Sequence, residues 1–241
     1  MKTQKRNVST FNADIKENQG YLYTTNATYS SLVANHRITE ATAALIPNTT
    51  KTVIDIGCGD GTFTHCLKLI FPEISFTGFD PASEAINIAK TKFPSVDYIV
   101  GDLLNISTFP NIKFDLAILR GVIHHLPNAS AGIANAVHLS DRIILIEPNG
   151  NNPILKWLEK NSKYHLDHEE RSFSSDKLRQ WCEQTGFVVT DFNFVGFIPF
   201  FFPTLLSKII YFIQPWLERG FILKKYFGAQ SIIVYERSRA N

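Results

Sequence analysis

Cysteine is scarce in this chain: Cys58, Cys66 and Cys182 are the three thiols in 241 residues. The count is odd and no two share a paired spacing, which excludes a disulfide framework and fits reduced thiols in a cytoplasm. Charge is also thin. Only 19% of the residues are charged, and 24 basic against 22 acidic side chains leave a net charge of +2. No basic stripe or block stands out of the kind that tracks a nucleic-acid backbone, so no nucleic-acid partner is expected. The stretch from Met1 to Gln19 lacks the apolar core of a signal peptide, and the expectation is a cytoplasmic protein behind a polar leader. Uninterrupted apolar runs of membrane-spanning length are missing too. The greasiest stretch, Phe194 to Phe227, is broken by Pro199, Pro203 and Pro215 and divided by Ser207-Lys208, so it does not read as a transmembrane span.

What is present is a regular alternation. With 44% hydrophobic residues the chain has enough apolar material for one well-buried α/β domain. Short apolar runs at Val53–Ile56, Ile74–Phe79, Val96–Val100, Phe114–Leu119, Arg142–Ile146, Phe187–Val195 and Ser231–Tyr235 read as seven strands. Between them lie segments of helical spacing: Phe63, Cys66, Leu67 and Ile70; Ala85, Ile86, Ile88 and Ala89; Ala129 to Leu139; and Leu178, Trp181 and Cys182 behind an N-cap at Ser174. The pattern predicts a doubly wound, mostly parallel seven-stranded sheet with helices on both faces. Residues 1–47 form a leader and a helical cap, 48–196 with 228–241 the α/β core, and 197–227 an apolar insertion before the last strand. In such sheets ligands bind beyond the carboxyl ends of the strands, so chemistry is sought just after each strand.

The segment Asp55-Ile56-Gly57-Cys58-Gly59-Asp60-Gly61 follows the first strand and opens the first core helix. Glycines there let the chain turn sharply and let a ligand approach the backbone amides. Thr62 stands where a dinucleotide-binding loop has its third glycine. No Lys-Ser/Thr pair follows, which excludes a P-loop. Val53 to Thr64 closely resembles the first motif of the class I S-adenosylmethionine-dependent methyltransferases, small-molecule type. The resemblance is strong from Thr52 to Glu147 and looser over the final strands.

That resemblance implies S-adenosylmethionine as cofactor, held by Asp55, Gly57, Cys58, Gly59 and Gly61. Asp80 and Pro81 after the second strand extend the site, Asp80 accepting the ribose hydroxyls. Asp102 and Leu103 after the third strand would take the adenine. Arg120 and Gly121 after the fourth strand begin a segment, through Leu126, that lines the cofactor and faces the methyl group. The resemblance also implies that Glu147 to Pro153 lies beside the acceptor. The Asn/Asp-Pro-Pro-aromatic motif of base methylation is absent after the fourth strand, which argues against a nucleic-acid base as acceptor.

A hydroxyl acceptor benefits from a positioned base, and histidine titrates in the right range. His124 is the first catalytic candidate and His125 the second, with simple packing at a strand end as the plain alternative. His165, Asp167, His168, Glu169 and Glu170 have no known ligand spacing, so they read as a solvated loop and no metal is expected. Tyr21, Tyr23, Tyr29 and Arg37 lie in the cap; Tyr29 or Arg37 would reach the methionyl carboxylate unless they merely pack. The functional reading is methyl transfer to a small, hydrophobic or lipid-linked acceptor. A non-catalytic S-adenosylmethionine-binding module and a nicotinamide-dependent oxidoreductase are the alternatives. Residues 197–227 read as a lid, a peripheral membrane contact, a dimer interface or extra core; a lid with membrane contact as a consequence is preferred.

Overall fold

The computed structural model describes residues 8, 9, 12, 15, 27–161, 171–200 and 202–238. Most of the polar leader, Tyr21, Tyr23, the segment from His165 to Glu170, and Phe201 lie outside the described residues. Seven strands form one sheet: β1 (Thr52–Ile56), β2 (Ser75–Asp80), β3 (Asp97–Val100), β4 (Leu116–Arg120), β5 (Arg142–Pro148), β6 (Phe187–Val195) and β7 (Gln230–Arg237), in the order β3-β2-β1-β4-β5-β7-β6. The first five run parallel; β7 is antiparallel to both β5 and β6. This is the expected doubly wound, mostly parallel arrangement.

Alternation along each strand feeds two cores. Ile54 and Ile56 of β1 point into one, with Leu119, Leu145 and Tyr235. Val53 points into the other, with Leu116, Ile118, Ile144 and Val234. A strand buried on both faces needs apolar residues at every position, and that is why β4 and β5 read as continuous apolar runs. Helices α1 (Tyr29–Ala43), α2 (Thr62–Ile70), α3 (Ser83–Lys92), α4 (Ala129–Ala136), α5 (Pro153–Asn161) and α6 (Ser175–Glu183) connect or cover these strands. Ser174 caps α6 as its sequence predicts, its hydroxyl accepting from the Lys177 amide. Sequence spacing missed α5, whose Ile154 and Trp157 face outward while Leu155 and Leu158 turn toward the sheet ends.

The connection from β6 to β7 carries two helices, α7 (Thr204–Leu217) and α8 (Phe221–Phe227). It is tied to the N-terminal cap. Arg37 of α1 grips Glu218 in a two-pronged ion pair, Nε to Oε1 at 3.0 Å and Nη2 to Oε2 at 2.5 Å. Ser30 and Thr28 donate their hydroxyls to the Phe200 carbonyl at 2.7 and 3.2 Å. Tyr29 lies beneath the Lys208 ammonium, 5.6 Å away. These two cap residues therefore pack against the insertion rather than line the main cavity described below. Among the described residues no helix is long and apolar enough to cross a membrane.

Candidate functional site

Strand order reverses between β1 and β4, and this switch point opens a crevice at their carboxyl ends. The glycine loop enters it directly. Gly57 sits at φ +77°, and a Cβ there would come within 2.3 Å of the Val122 side chain. Gly61 takes φ +79° as it starts α2, and a Cβ would meet the Tyr98 hydroxyl at 2.5 Å. The Gly57 amide donates to the Phe79 carbonyl at 2.7 Å, which pins the loop to β2. The result is a cavity of about 680 Å³ at the crevice.

Its lining brings together much of what the sequence picked out: Asp55, Gly57, Cys58, Gly59, Asp80, Pro81, Arg120, Gly121 and His125. The remaining three cofactor candidates are placed differently. Gly61 shapes the turn and stands behind the lining. Leu103 is buried in the core. Asp102 turns its Oδ1 toward the Leu104 amide at 2.9 Å and does not line the cavity. Asp60, Phe63 and Phe200 line it without having been singled out as binding residues.

The carboxylates at this site are buried and under electrostatic load. Asp80 accepts the Gly59 amide at 3.0 Å on Oδ2 and the Ala82 amide at 2.8 Å on Oδ1. Burial pushes its pKa up to about 6 despite those two donors. Asp55 accepts the Thr64 hydroxyl at 2.5 Å on Oδ2, and burial pushes it up to about 7. Its Oδ1 is buried without a hydrogen-bond partner among the described residues. Arg120 stacks over the Phe63 ring at 4.2 Å and donates to the Asn35 side chain. Burial lowers its pKa to about 10, so it stays a cation at neutral pH.

A second cavity, of about 330 Å³, shares Arg120, Gly121, His125 and Phe200 with the first. His124 lines it, together with Leu155 and Leu158 of α5 and Phe197, Ile198 and Phe227 from the two ends of the insertion. The His124 ring is held firmly. Its Nδ1 lies 2.7 Å from Oε2 of Glu147, and both residues are buried. The same carboxylate accepts the Val122 and Ile123 amides on Oε1 at 2.9 and 2.8 Å and the His124 amide on Oε2 at 3.2 Å. Glu147 at the end of β5 thus closes the amino end of the one-turn helix Ile123–His125 and orients the imidazole. A carboxylate in that position selects the tautomer with the proton on Nδ1, which leaves the lone pair on Nε2. Sequence reasoning placed Glu147 near the acceptor but did not pair it with His124. Among the described residues no cluster of His, Cys, Asp and Glu could hold a metal ion.

The sheet order β3-β2-β1-β4-β5-β7-β6, with its glycine cradle at the switch point and an acid ending β2, is that of the Rossmann-like methyltransferase fold. The chain belongs to the methyltransferase-domain family of that fold, the S-adenosylmethionine-dependent methyltransferases, which matches residues 29–191. It is 40% identical over 70 residues to a methyltransferase-named protein of Invertebrate iridescent virus 6, covering 28% of this chain and 25% of that protein. It is 31% identical over 87 residues to trans-aconitate 2-methyltransferase of Methylobacterium nodulans, covering 34% of each. The chain thus spans a quarter to a third of the length of these curated relatives. Magnesium protoporphyrin IX methyltransferase of Synechocystis PCC 6803, solved with bound SAH, shares the fold at a TM-score of 0.67 and 18% identity, over 95% of this chain and 97% of that one.

S-adenosylmethionine is the methyl donor of this family, and the residues present fit it. The donor carries a sulfonium and an ammonium, and the partnerless Asp55 Oδ1 is the kind of buried acceptor that a cation completes. The two Asp80 oxygens each hold one amide and retain acceptor capacity for hydroxyls. Gly57 gives a close backbone approach that a side chain would block.

Proposed function

We propose that this chain methylates a small, hydrophobic or lipid-linked acceptor bearing a hydroxyl, with the donor in the larger cavity and the acceptor in the second. One observation carries the reading. The two cavities meet at Arg120, Gly121, His125 and Phe200; one is lined by the donor-motif residues, the other by His124 and apolar side chains. When bound, S-adenosylmethionine supplies a methyl carbon on a positively charged sulfur, a leaving group that departs as a neutral thioether.

The residues have separate tasks. Asp55 and Asp80 hold the donor's cationic and hydroxyl groups. Phe197, Ile198, Leu155 and Phe227 exclude water and orient the acceptor, because an in-line displacement depends chiefly on alignment. His124 would take the acceptor hydroxyl's proton on Nε2, so that the hydroxyl oxygen becomes the nucleophile for the methyl group that the donor would supply. Glu147 keeps the Nδ1 proton in place and balances the imidazolium that forms. His125, its ring 3.8 Å from that of His124, flanks the base.

The test is a methyl-transfer assay on the full chain over a panel of apolar phenols, hydroxy acids and prenyl-linked alcohols. His124→Gln should lower kcat at least tenfold while the affinity for S-adenosylhomocysteine stays within about twofold of wild type. A His124→Gln enzyme with unchanged kcat and pH profile would remove the base from the account. Turnover confined to ionised carboxylate acceptors would remove the hydroxyl.

A further inference from the structure

Helix α7 is inverted. Leu205, Leu206, Ile209, Phe212, Ile213 and Trp216 recur at helical spacing and all face outward, whereas Ser207 and Gln214 on the opposite face are buried. Leu205 is 73% exposed and Phe212 72%. Helix α8 continues the pattern, with Phe221 60% and Ile222 73% exposed. Beside it, α5 presents Trp157 and Ile154 outward. A water-soluble surface rarely gathers so many large apolar side chains without a partner to cover them.

The outward charges along α7 and α8 share one sign. From Thr204 to Phe227 the cations are Lys208, Arg219, Lys224 and Lys225, and the sole acid is Glu218. Glu218 is turned inward, bound to Arg37 and to the Gly196 amide. The outward charge of these two helices is therefore positive. Fourteen residues make α7 only about 21 Å long, too short for a hydrocarbon core of about 30 Å. An apolar face, a cationic border and Trp and Tyr side chains on a helix too short to span are the features of an element lying in a membrane interface.

We propose that α7 and α8, with the outward side of α5, form a docking face for an anionic lipid surface. The face goes beyond the catalytic reading; it rests on that reading only in one consequence, that the acceptor enters from the bilayer. Phe197–Phe200 and Phe227, the two roots of the insertion, wall the second cavity. An acceptor carrying an acyl or prenyl tail then reaches His124 without leaving the lipid. Docking needs no change in the donor site, since Arg37–Glu218 and the Phe200 carbonyl already fix the insertion to the cap.

The experiment is co-sedimentation of the full chain with phosphatidylcholine vesicles, with and without phosphatidylglycerol, paired with sedimentation velocity and with S-adenosylhomocysteine titration of every variant. The wild type should partition onto the anionic vesicles roughly tenfold more strongly than onto neutral ones. Leu205→Ser with Phe212→Ser and Trp216→Ser should lose that binding while keeping wild-type S-adenosylhomocysteine affinity. Lys224→Glu with Lys225→Glu should bind neutral and anionic vesicles alike. A wild-type chain that ignores both vesicles overturns the proposal. If that chain is also a stable dimer dissociated by the triple substitution, the face belongs to a second copy. Vesicle binding without any S-adenosylhomocysteine binding keeps the docking face and overturns the catalytic reading instead.

Discussion

The strand ends and the β6–β7 insertion handle polarity in opposite ways. At the strand ends charged groups are buried: Asp55, Asp80 and Glu147 stand at 1%, 6% and 1% exposure, each held by hydroxyl or amide donors. In helix α7 of the insertion the polar Ser207 and Gln214 are inside, and Leu205, Ile209, Phe212 and Trp216 are outside. Burying a carboxylate is expensive, and the fold supports it only where backbone amides are already converging, which is at strand-to-helix turns. Exposing a large apolar side chain costs less than burying an unmatched charge, and it is tolerated where another surface covers it. The first region is built to hold a ligand from within; the second is built to be completed from outside.

Substitutions that cut into the first region should therefore cost far more than those in the second. Glu147→Ala removes the acceptor for three backbone amides and for His124, and it should destabilise the chain by about 3–5 kcal/mol in urea unfolding. Gly57→Ala forces a Cβ into Val122 at a positive φ; a loss of about 2–3 kcal/mol is expected, with donor affinity falling in parallel. Asp80→Ala should weaken S-adenosylhomocysteine binding by about 1.5–3 kcal/mol, roughly ten- to a hundredfold, as read by calorimetry. Unchanged affinity there would detach Asp80 from the donor.

The next effect is a pH dependence. Asp55 and Asp80 both titrate above their ordinary 3.8 in the fold, at about 7 and about 6. The folded chain therefore binds more protons than the unfolded one, and stability falls as pH rises from about 4 through 7. Donor binding runs the other way, because a cation favours ionised Asp55. Affinity for S-adenosylhomocysteine should tighten as pH rises from about 5 to 8, and Asp55→Asn should flatten the upper part of that curve. A flat wild-type curve would break the link between Asp55 and the donor's ammonium. Smallest of all, Phe212→Ser should change unfolding free energy by no more than about 0.5 kcal/mol, since its side chain is 72% exposed. A loss of several kcal/mol would show the insertion to be core and erase the contrast between the two regions.

Most of the sheet was legible in the sequence, because a parallel strand buried on both faces writes itself as an unbroken apolar run. Ile143 to Ile146 and Leu116 to Leu119 are such runs. The glycine loop was legible because only glycine tolerates its backbone and its neighbours. Glu147 was harder, since its bond to His124 joins residues 23 apart that meet only through the pairing of β4 and β5. Asp102 and Leu103 stood in the right order, yet local turn geometry and core packing keep them off the cavity wall. The composition of the insertion was plain, but its prolines masked a helix: Pro203 precedes α7 and Pro215 lies in its last turn. Nor does a stripe of apolar residues say whether it faces inward. The burial of Ser207 and Gln214 could be read only from the structure.

Calorimetric titration of the full chain with S-adenosylhomocysteine, alongside nicotinamide adenine dinucleotide, tests the central claim most directly. Saturable binding of one equivalent of S-adenosylhomocysteine, weakened by Asp80→Ala, and no heat from the dinucleotide are expected. Absence of binding by S-adenosylhomocysteine, or binding of the dinucleotide in its place, would contradict that claim.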